Sequence, residues 1–324
     1  MKKLLLSAFA VAAFYSCQKN ESSNQEIEQP VAANSVSGRN CGTQEVLARQ
    51  LLENPALADK MQQIEEFTQQ HLTSASFKLL ANGSIQIPVV VNVLYKTAAE
   101  NISTAQIQSQ IDVLNRDYNA TNTDFGLVPS LFAGVKANVG ITFTLSQIIR
   151  KATTKNSWGT ADAMKKTASG GLAAVTPTTK LNLWICTIGG GILGYAQFPG
   201  GASATDGVAI DSKYIGTTGT AAYPYNLGRT ATHEVGHWMN LRHIWGDASC
   251  GNDLVSDTPV AQTSNFGVPA FPKYSTCSGG SPEMTMNYMD YTDDRGMYMF
   301  TNGQKSRMNT IFAVGGSRAS FRNL

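Results

Sequence analysis

Charge is scarce in this 324-residue sequence. Asp, Glu, Lys and Arg make up 15% of it, well under the quarter or so usual for a globular chain. The 25 basic and 23 acidic residues nearly cancel, leaving +2, and no basic run or aromatic–basic interleaving occurs. That excludes a nucleic-acid partner, or an acidic membrane surface, recognised through a strong field. Histidine is scarcer still, at four, and cysteine stands at five. No apolar run reaches the roughly 18 residues needed to span a bilayer as a mature helix, and there is no internal repeat. What is present is 42% hydrophobic residues, enough for a sizeable core. The polar surface must then come from Ser, Thr, Asn, Gln and Gly.

The longest apolar stretch, Leu4 to Phe14, follows Lys2 and Lys3 and reads as a signal peptide over 1–17. It ends in Phe14-Tyr15-Ser16-Cys17. The Cys is similar to the lipid acceptor of a bacterial lipoprotein, although Phe14 stands where a Leu is usual. An exported protein is expected, either anchored in a bacterial cell envelope by that lipid alone or secreted. Residues 18–38 are too polar to fold and read as a flexible tether.

Glu45 to Leu72 carries helical periodicity, broken by Asn54-Pro55. Thr73 to Gly83 loses it and ends in Asn82-Gly83, a boundary. Ile85 to Tyr95 reads as a strand in which Pro88 pairs on one side only. Ser103 caps a helix in a capping-box pattern with Gln106, and its apolar stripe is Ile107, Ile111, Leu114 and Tyr118. Further strands are expected at Ile141–Ile149, Leu181–Ile188, Ile192–Phe198 and Gly207–Asp211. A helix begins near Leu227. After it come about 45 residues rich in Gly, Ser, Asp, Asn and Pro, then a last helix from Thr301-Asn302 to Phe312. This order predicts an α+β chain with a cleft between two halves. Cys186 lies in a buried strand as a free thiol. Cys250 and Cys277 flank the loop-rich stretch and can pair in an oxidising compartment.

Three of the four histidines fall between 233 and 243. His233-Glu234-Val235-Gly236-His237 is HExxH. On a helix, residues i and i+4 share a face, so both imidazoles can reach one Zn²⁺, with Glu234 placed as general base. His243 is the third candidate ligand. Six more residues of helix would carry it about 9 Å along the axis, out of reach, so the helix must break near Asn240 with a positive φ.

The stretch His233 to His243, with Asn240 in place of a common Gly and Ile244-Trp245-Gly246 following, resembles the extended zinc signature of metzincins, and within them the pappalysin family. The resemblance covers residues 39 to 315. It implies a zincin-like fold: a twisted, mixed five-stranded sheet with backing and active-site helices over an irregular C-terminal subdomain. It implies a zinc-dependent endopeptidase acting on polypeptides and made as a zymogen. Asn287-Tyr288-Met289-Asp290-Tyr291 resembles the Met-turn, which puts Met289 under the metal and gives the Tyr291 phenol the role of stabilising an oxyanion. Leu193 to Pro199 resembles the upper-rim strand, whose Gly194, Tyr195 and Ala196 would pair with substrate backbone. Arg39-Asn40-Cys41-Gly42-Thr43 resembles a cysteine latency motif, with Cys41 a zinc ligand in the precursor. The pro-segment would span 39–80, with Lys60 or 73–84 as processing points, and the enzyme domain 81–324.

Asp253, Asp257 and Thr258 resemble the family's calcium-binding loop. Asp293 and Asp294, after the Met-turn, resemble acids that favour a basic side chain next to the cleaved bond, although Arg295 stands beside them. Met297 has no Cys neighbour, so a second disulfide found in some relatives is not expected. The chain's end at Leu324 reads as a minimal protease. A monomer is expected. Two other functions compete: a silent surface-binding lipoprotein on a protease scaffold, and a zinc amidase of small substrates.

Overall fold

The computed structural model describes residues 38–73, 85–277 and 279–322. The expected signal peptide, the tether to residue 37 and the 74–84 processing stretch lie outside these. Among the described residues no helix is long and apolar enough to cross a membrane.

The Val-rich run at 85–95 becomes β1 (Ile85–Tyr95), which pairs in parallel with β3 (Ile141–Ala152) and β4 (Leu181–Cys186). Strands covered on both faces need continuous apolar character rather than alternation, and β4 is buried at every position. Pairing of β1 with β4 starts only at Val89, so Pro88 faces β3 alone, as its missing donor requires. The sheet order is β3-β1-β4-β6-β5, with β6 (Val208–Asp211) parallel to β4 and β5 (Gly194–Ala196) antiparallel at the edge. A two-residue strand β2 (Lys136–Ala137) pairs separately with β7 (Phe300–Thr301).

Helix α3 (Thr104–Tyr118) crosses over between β1 and β3, and its Ile107, Ile111, Leu114 and Tyr118 join the core with Val235 of α4 (Arg229–Trp238). The opposite face of the sheet buries Trp158, Met164, Trp184 and Tyr195, together with Val46 from the N-terminal segment. That segment forms α1 (Thr43–Glu53) and α2 (Ala56–Thr73), separated at Asn54-Pro55. Lys60 lies inside α2.

Three expectations are corrected. The third and fourth strands stop at Cys186 and Ala196, because the chain turns through Gly190 and Gly191, both at positive φ, and pairs again only over three residues. Ser103 accepts from Gln106 N, but the Gln106 side chain turns to Ile215 O and Thr220 instead of closing the box. A complete capping box is found at Thr301 and Gln304, opening α5 (Asn302–Thr310). Between α4 and α5 the chain is largely irregular and is tied by a Cys250–Cys277 disulfide. Cys186 is a buried free thiol.

Candidate active site

Helix α4 is buried along its whole length. It ends where φ of Asn240 turns to +72°. Leu241 N bonds back to Gly236 O at 3.0 Å and Asn240 N to His237 O at 2.9 Å, the paired bonds of a left-handed helix stop. The reversal brings His243 back toward the helix. The Nε2 atoms of His233 and His243 lie 3.2 and 3.1 Å from Nε2 of His237. A tetrahedron with Zn–N bonds of about 2.0–2.1 Å has edges of about 3.3 Å.

Each Nδ1 meets an oxygen: Tyr288 O at 2.7 Å, Leu241 O at 2.8 Å and Asp247 Oδ1 at 2.5 Å, for His233, His237 and His243 in turn. Those acceptors fix the proton on Nδ1 and turn three Nε2 lone pairs toward one another. Burial, and then mutual repulsion, hold His233 and His237 well below the usual imidazole range, so both are neutral. Converging, buried lone pairs fit a bound cation. The Cys41 thiol completes the group, and the four ligand atoms lie within 4.8 Å of one another.

Met289 lies fully buried below the helix. A Cβ on Gly236 would come 2.5 Å from its Sδ, so only glycine lets the Met-turn approach this closely. The Tyr291 ring stands 4.8 Å from His243 and 4.7 Å from Trp245, with its hydroxyl 3.5 Å from Cys41 O.

The N-terminal segment fills the cleft. Asn40 O accepts from Leu193 N and Gly42 N donates to Gly194 O, both at 2.9 Å, so Cys41 sits parallel beside Gly194 on the β5 edge. Thr43 Oγ1 donates to Glu234 Oε2 at 2.8 Å and accepts from Ala196 N at 2.9 Å. The Cys41 thiol is 3.4 Å from the same Glu234 oxygen. Burial pushes the Glu234 carboxyl up to about 7, opposed by hydrogen bonds from Cys41 and Thr43 and by the Arg39 charge. Burial and then the Glu234 charge push the Cys41 thiol up. The Tyr195 side chain points away from the cleft, to Asp162 Oδ1 at 3.1 Å. Of the expected trio, Gly194 and Ala196 meet the segment through backbone atoms.

Asp294 is buried at the start of α4. Its Oδ2 accepts from Leu227 N at 2.8 Å and Arg229 N at 3.2 Å, and its Oδ1 takes Arg39 Nη2 at 2.6 Å. Arg39 also reaches Thr230 Oγ1 at 3.1 Å and Thr292 O at 3.2 Å, with its guanidinium 4.9 Å from the Tyr225 ring centre. Arg295 is exposed and makes no ion pair among the described residues, so it does not neutralise Asp294. Asp293 bonds here through its backbone, N to Gly267 O at 2.8 Å, while its charge reaches the Tyr225 phenol.

The expected calcium ligands have protein partners. Thr258 donates to Asp253 Oδ2 at 2.8 Å, while Asp257 turns to Thr301 Oγ1 at 2.6 Å and Gly303 N at 2.8 Å, anchoring α5. Among the described residues the His–Cys group is the only convergence of three or more such side chains. Sequence reading assigned Thr43 no role of its own within the latency motif, set Asp247 with the calcium-type loop rather than with the histidines, and left out the Arg229–Asp124 pair at 2.5 Å that fixes the start of α4. Asp247 had a signal, four residues after the last histidine. Arg229 had none.

A sheet with one antiparallel edge strand, an interrupted HExxH helix and a methionine turn define a metzincin metalloendopeptidase. A family model described as pregnancy-associated plasma protein-A, of the M43 peptidases, matches residues 177–313. An extracellular metalloprotease 1 from Coccidioides posadasii (strain C735) is 34% identical over 250 residues, covering 72% of this chain and 80% of the relative. An extracellular metalloprotease from Colletotrichum graminicola (strain M1.001 / M2 / FGSC 10212) is 31% identical over 309 residues, covering 90% and 95%. The chain belongs to this pappalysin family. Among solved structures, mature mirolysin of Tannerella forsythia in complex with a cleaved peptide is 44% identical with a TM-score of 0.73, covering 75% of this chain and 97% of that one. A mutant of its precursor, promirolysin, is 40% identical with a TM-score of 0.81, covering 88% and 97%. The longer match to the precursor marks this chain as a zymogen.

Proposed function

We propose that the protein is an exported zinc endopeptidase, held latent by residues 39–80, that cleaves polypeptides beside an arginine or lysine. His233, His237 and His243 would hold the metal, and Cys41 would take the fourth position until the pro-segment is removed. Zinc, when bound, supplies the Lewis acid that polarises the scissile carbonyl and acidifies a water. Glu234 takes the proton of the water whose oxygen bonds to the carbonyl carbon. It then gives that proton to the leaving nitrogen as the C–N bond breaks. Tyr291 donates to the developing oxyanion, and the freed β5 edge aligns the substrate backbone.

The observation that carries the latent part is the paired grip of Cys41 and Thr43 on the histidine cluster and Glu234. The basic preference is supported by Arg39, which already fills the Asp294 pocket with three acceptors and an aromatic wall. Export is supported by the names of the extracellular relatives. A lipid on Cys17 and a monomeric state complete the reading. Calcium would have to draw Asp253 and Asp257 away from Thr258 and α5, and is left outside it.

The test is Glu234→Ala in the activated enzyme, with zinc content and peptide cleavage measured together. Zinc should stay at one per chain while kcat/KM falls about 10³-fold or more, within the range for losing a general base. Undiminished cleavage by the variant would overturn the mechanism. Peptides with Arg, Lys or Ala beside the bond test the pocket separately.

A further inference from the structure

Phe266 is 50% exposed, and Val268 beside it 47%. Single exposed apolar residues are ordinary, but the backbone that carries these two is anchored at the mouth of the cleft. On one side of Phe266, Asn265 donates from its backbone and side chain to both oxygens of the buried Asp290, each at 2.8 Å. On the other, Gly267 O accepts from Asp293 N at 2.8 Å. Both anchors belong to the turn that carries Tyr291, whose ring is 5.9 Å from that of Phe266. Val268 borders the next turn, where a Cβ on Gly296 would meet its Cγ2 at 3.4 Å.

The chain now occupying the cleft shows what the ring faces. Arg39 fills the Asp294 pocket and Cys41 sits at the histidines. Residue 38 therefore lies beyond the anchor, on the side away from the metal. It is a glycine lying directly on the Phe266 ring: a Cβ there would come 2.2 Å from Cδ1, so a side chain at that place packs on the ring only by pushing it aside. In this segment the ring thus stands at the place of the residue next to the anchor.

We propose that Phe266, with Val268, is a specificity-determining surface that selects an apolar side chain at the substrate position next to the basic anchor, away from the scissile bond. A loop that spends buried hydrogen bonds on holding an apolar ring in solvent keeps it ready for a partner, and a substrate side chain there removes two apolar surfaces from water at once. This rests on the reading that the Asp294 pocket takes a basic side chain.

The test uses the zinc-loaded enzyme, activated by limited proteolysis, and two peptide series. In one the anchor is Arg and its outer neighbour is Leu, Phe or Ala. In the other the neighbour is Leu and the anchor is Arg or Ala. Wild type should favour Leu and Phe over Ala by about 5- to 10-fold in kcat/KM, the scale of a partly buried apolar side chain. Phe266→Ala should bring that ratio under about twofold and leave the Arg-to-Ala anchor ratio standing. Phe266→Leu should keep part of the neighbour preference, with melting temperature checking the fold of both. The proposal is overturned if wild type shows no neighbour preference, if Phe266→Ala keeps it, or if that variant slows all peptides equally. An absent anchor preference would instead break the Asp294 reading, while the neighbour ratio still decides the role of Phe266.

Discussion

The N-terminal segment grips the enzyme in two different ways. From Arg39 to Gln44 it uses polar atoms, and each meets a working part: Arg39 at Asp294, Cys41 at the histidines, Thr43 at Glu234, and Gln44 at Asp247 at 2.7 Å. Beyond Gln44 the grip is on the shell. Val46 is buried behind the sheet, Leu57 is nearly so, and Glu65 pairs with Arg307 of α5. The first set blocks chemistry and the second supplies attachment. A segment built only from the first would be short, extended and entropically costly to hold. One built only from the second would dock without inhibiting.

The comparison can be broken at its strongest polar point. Cys41→Ala in the uncleaved chain removes the fourth ligand while leaving the helices in place. Basal peptide cleavage should rise about 100-fold, equivalent to about 2.7 kcal/mol, with the segment still attached on a gel. If basal activity stays at the wild-type level, inhibition resides in attachment rather than at the metal.

Thr43→Val is the next step down. Valine keeps the shape but removes the donor to Glu234 and the acceptor for Ala196 N. A hydrogen bond to a charged group is worth about 1.5–3 kcal/mol, and water can replace part of it. A rise of about 10-fold in basal cleavage is expected, with zinc content unchanged. No rise would mean that Thr43 merely starts α1.

How much of this was legible depended on the kind of signal. The histidine set was readable because helix geometry alone links 233 to 237 and forbids a straight path to 243, and φ of Asn240 shows the required break. The sheet was readable where runs such as Val89–Val93 are buried on both faces. The short edge strand β5 was overextended, since Ile192 and Phe198 are buried without pairing and apolar character alone does not reveal a ladder. Contacts such as Arg39 to Asp294 span 255 residues and leave no local periodicity. Thr43 and Phe266 were unreadable for the same reason: their roles come from what faces them across the cleft. Gln106 misled because a pattern suited to a cap also suits a side chain that reaches Ile215 and Thr220.

Glu65→Gln tests the attachment side and should have the smallest effect. Arg307 donates to Glu65 and, through Nε, to Asn240 O at 2.8 Å, so one guanidinium spans α2 and the turn that returns His243. Arg307 is buried but Glu65 is only half-buried, so the charge is worth about 1 kcal/mol after screening. That corresponds to a rise of roughly two- to fivefold in basal cleavage. Burial alone would raise the Glu65 carboxyl, but the Arg307 hydrogen bond and charge override it and hold the group below its ordinary 4.5. A lowered carboxylate favours the docked state above that ordinary value, and the gain is lost as pH falls through the lowered one. Wild-type latency should therefore loosen below about pH 4.5, and the glutamine variant should lose that acid dependence. The activated enzyme gives the sharper reading. If α2 leaves with the pro-segment, kcat/KM after activation is the same with Glu or Gln at 65. A change there would mean that α2 stays bound as part of the working enzyme, so that attachment outlives inhibition.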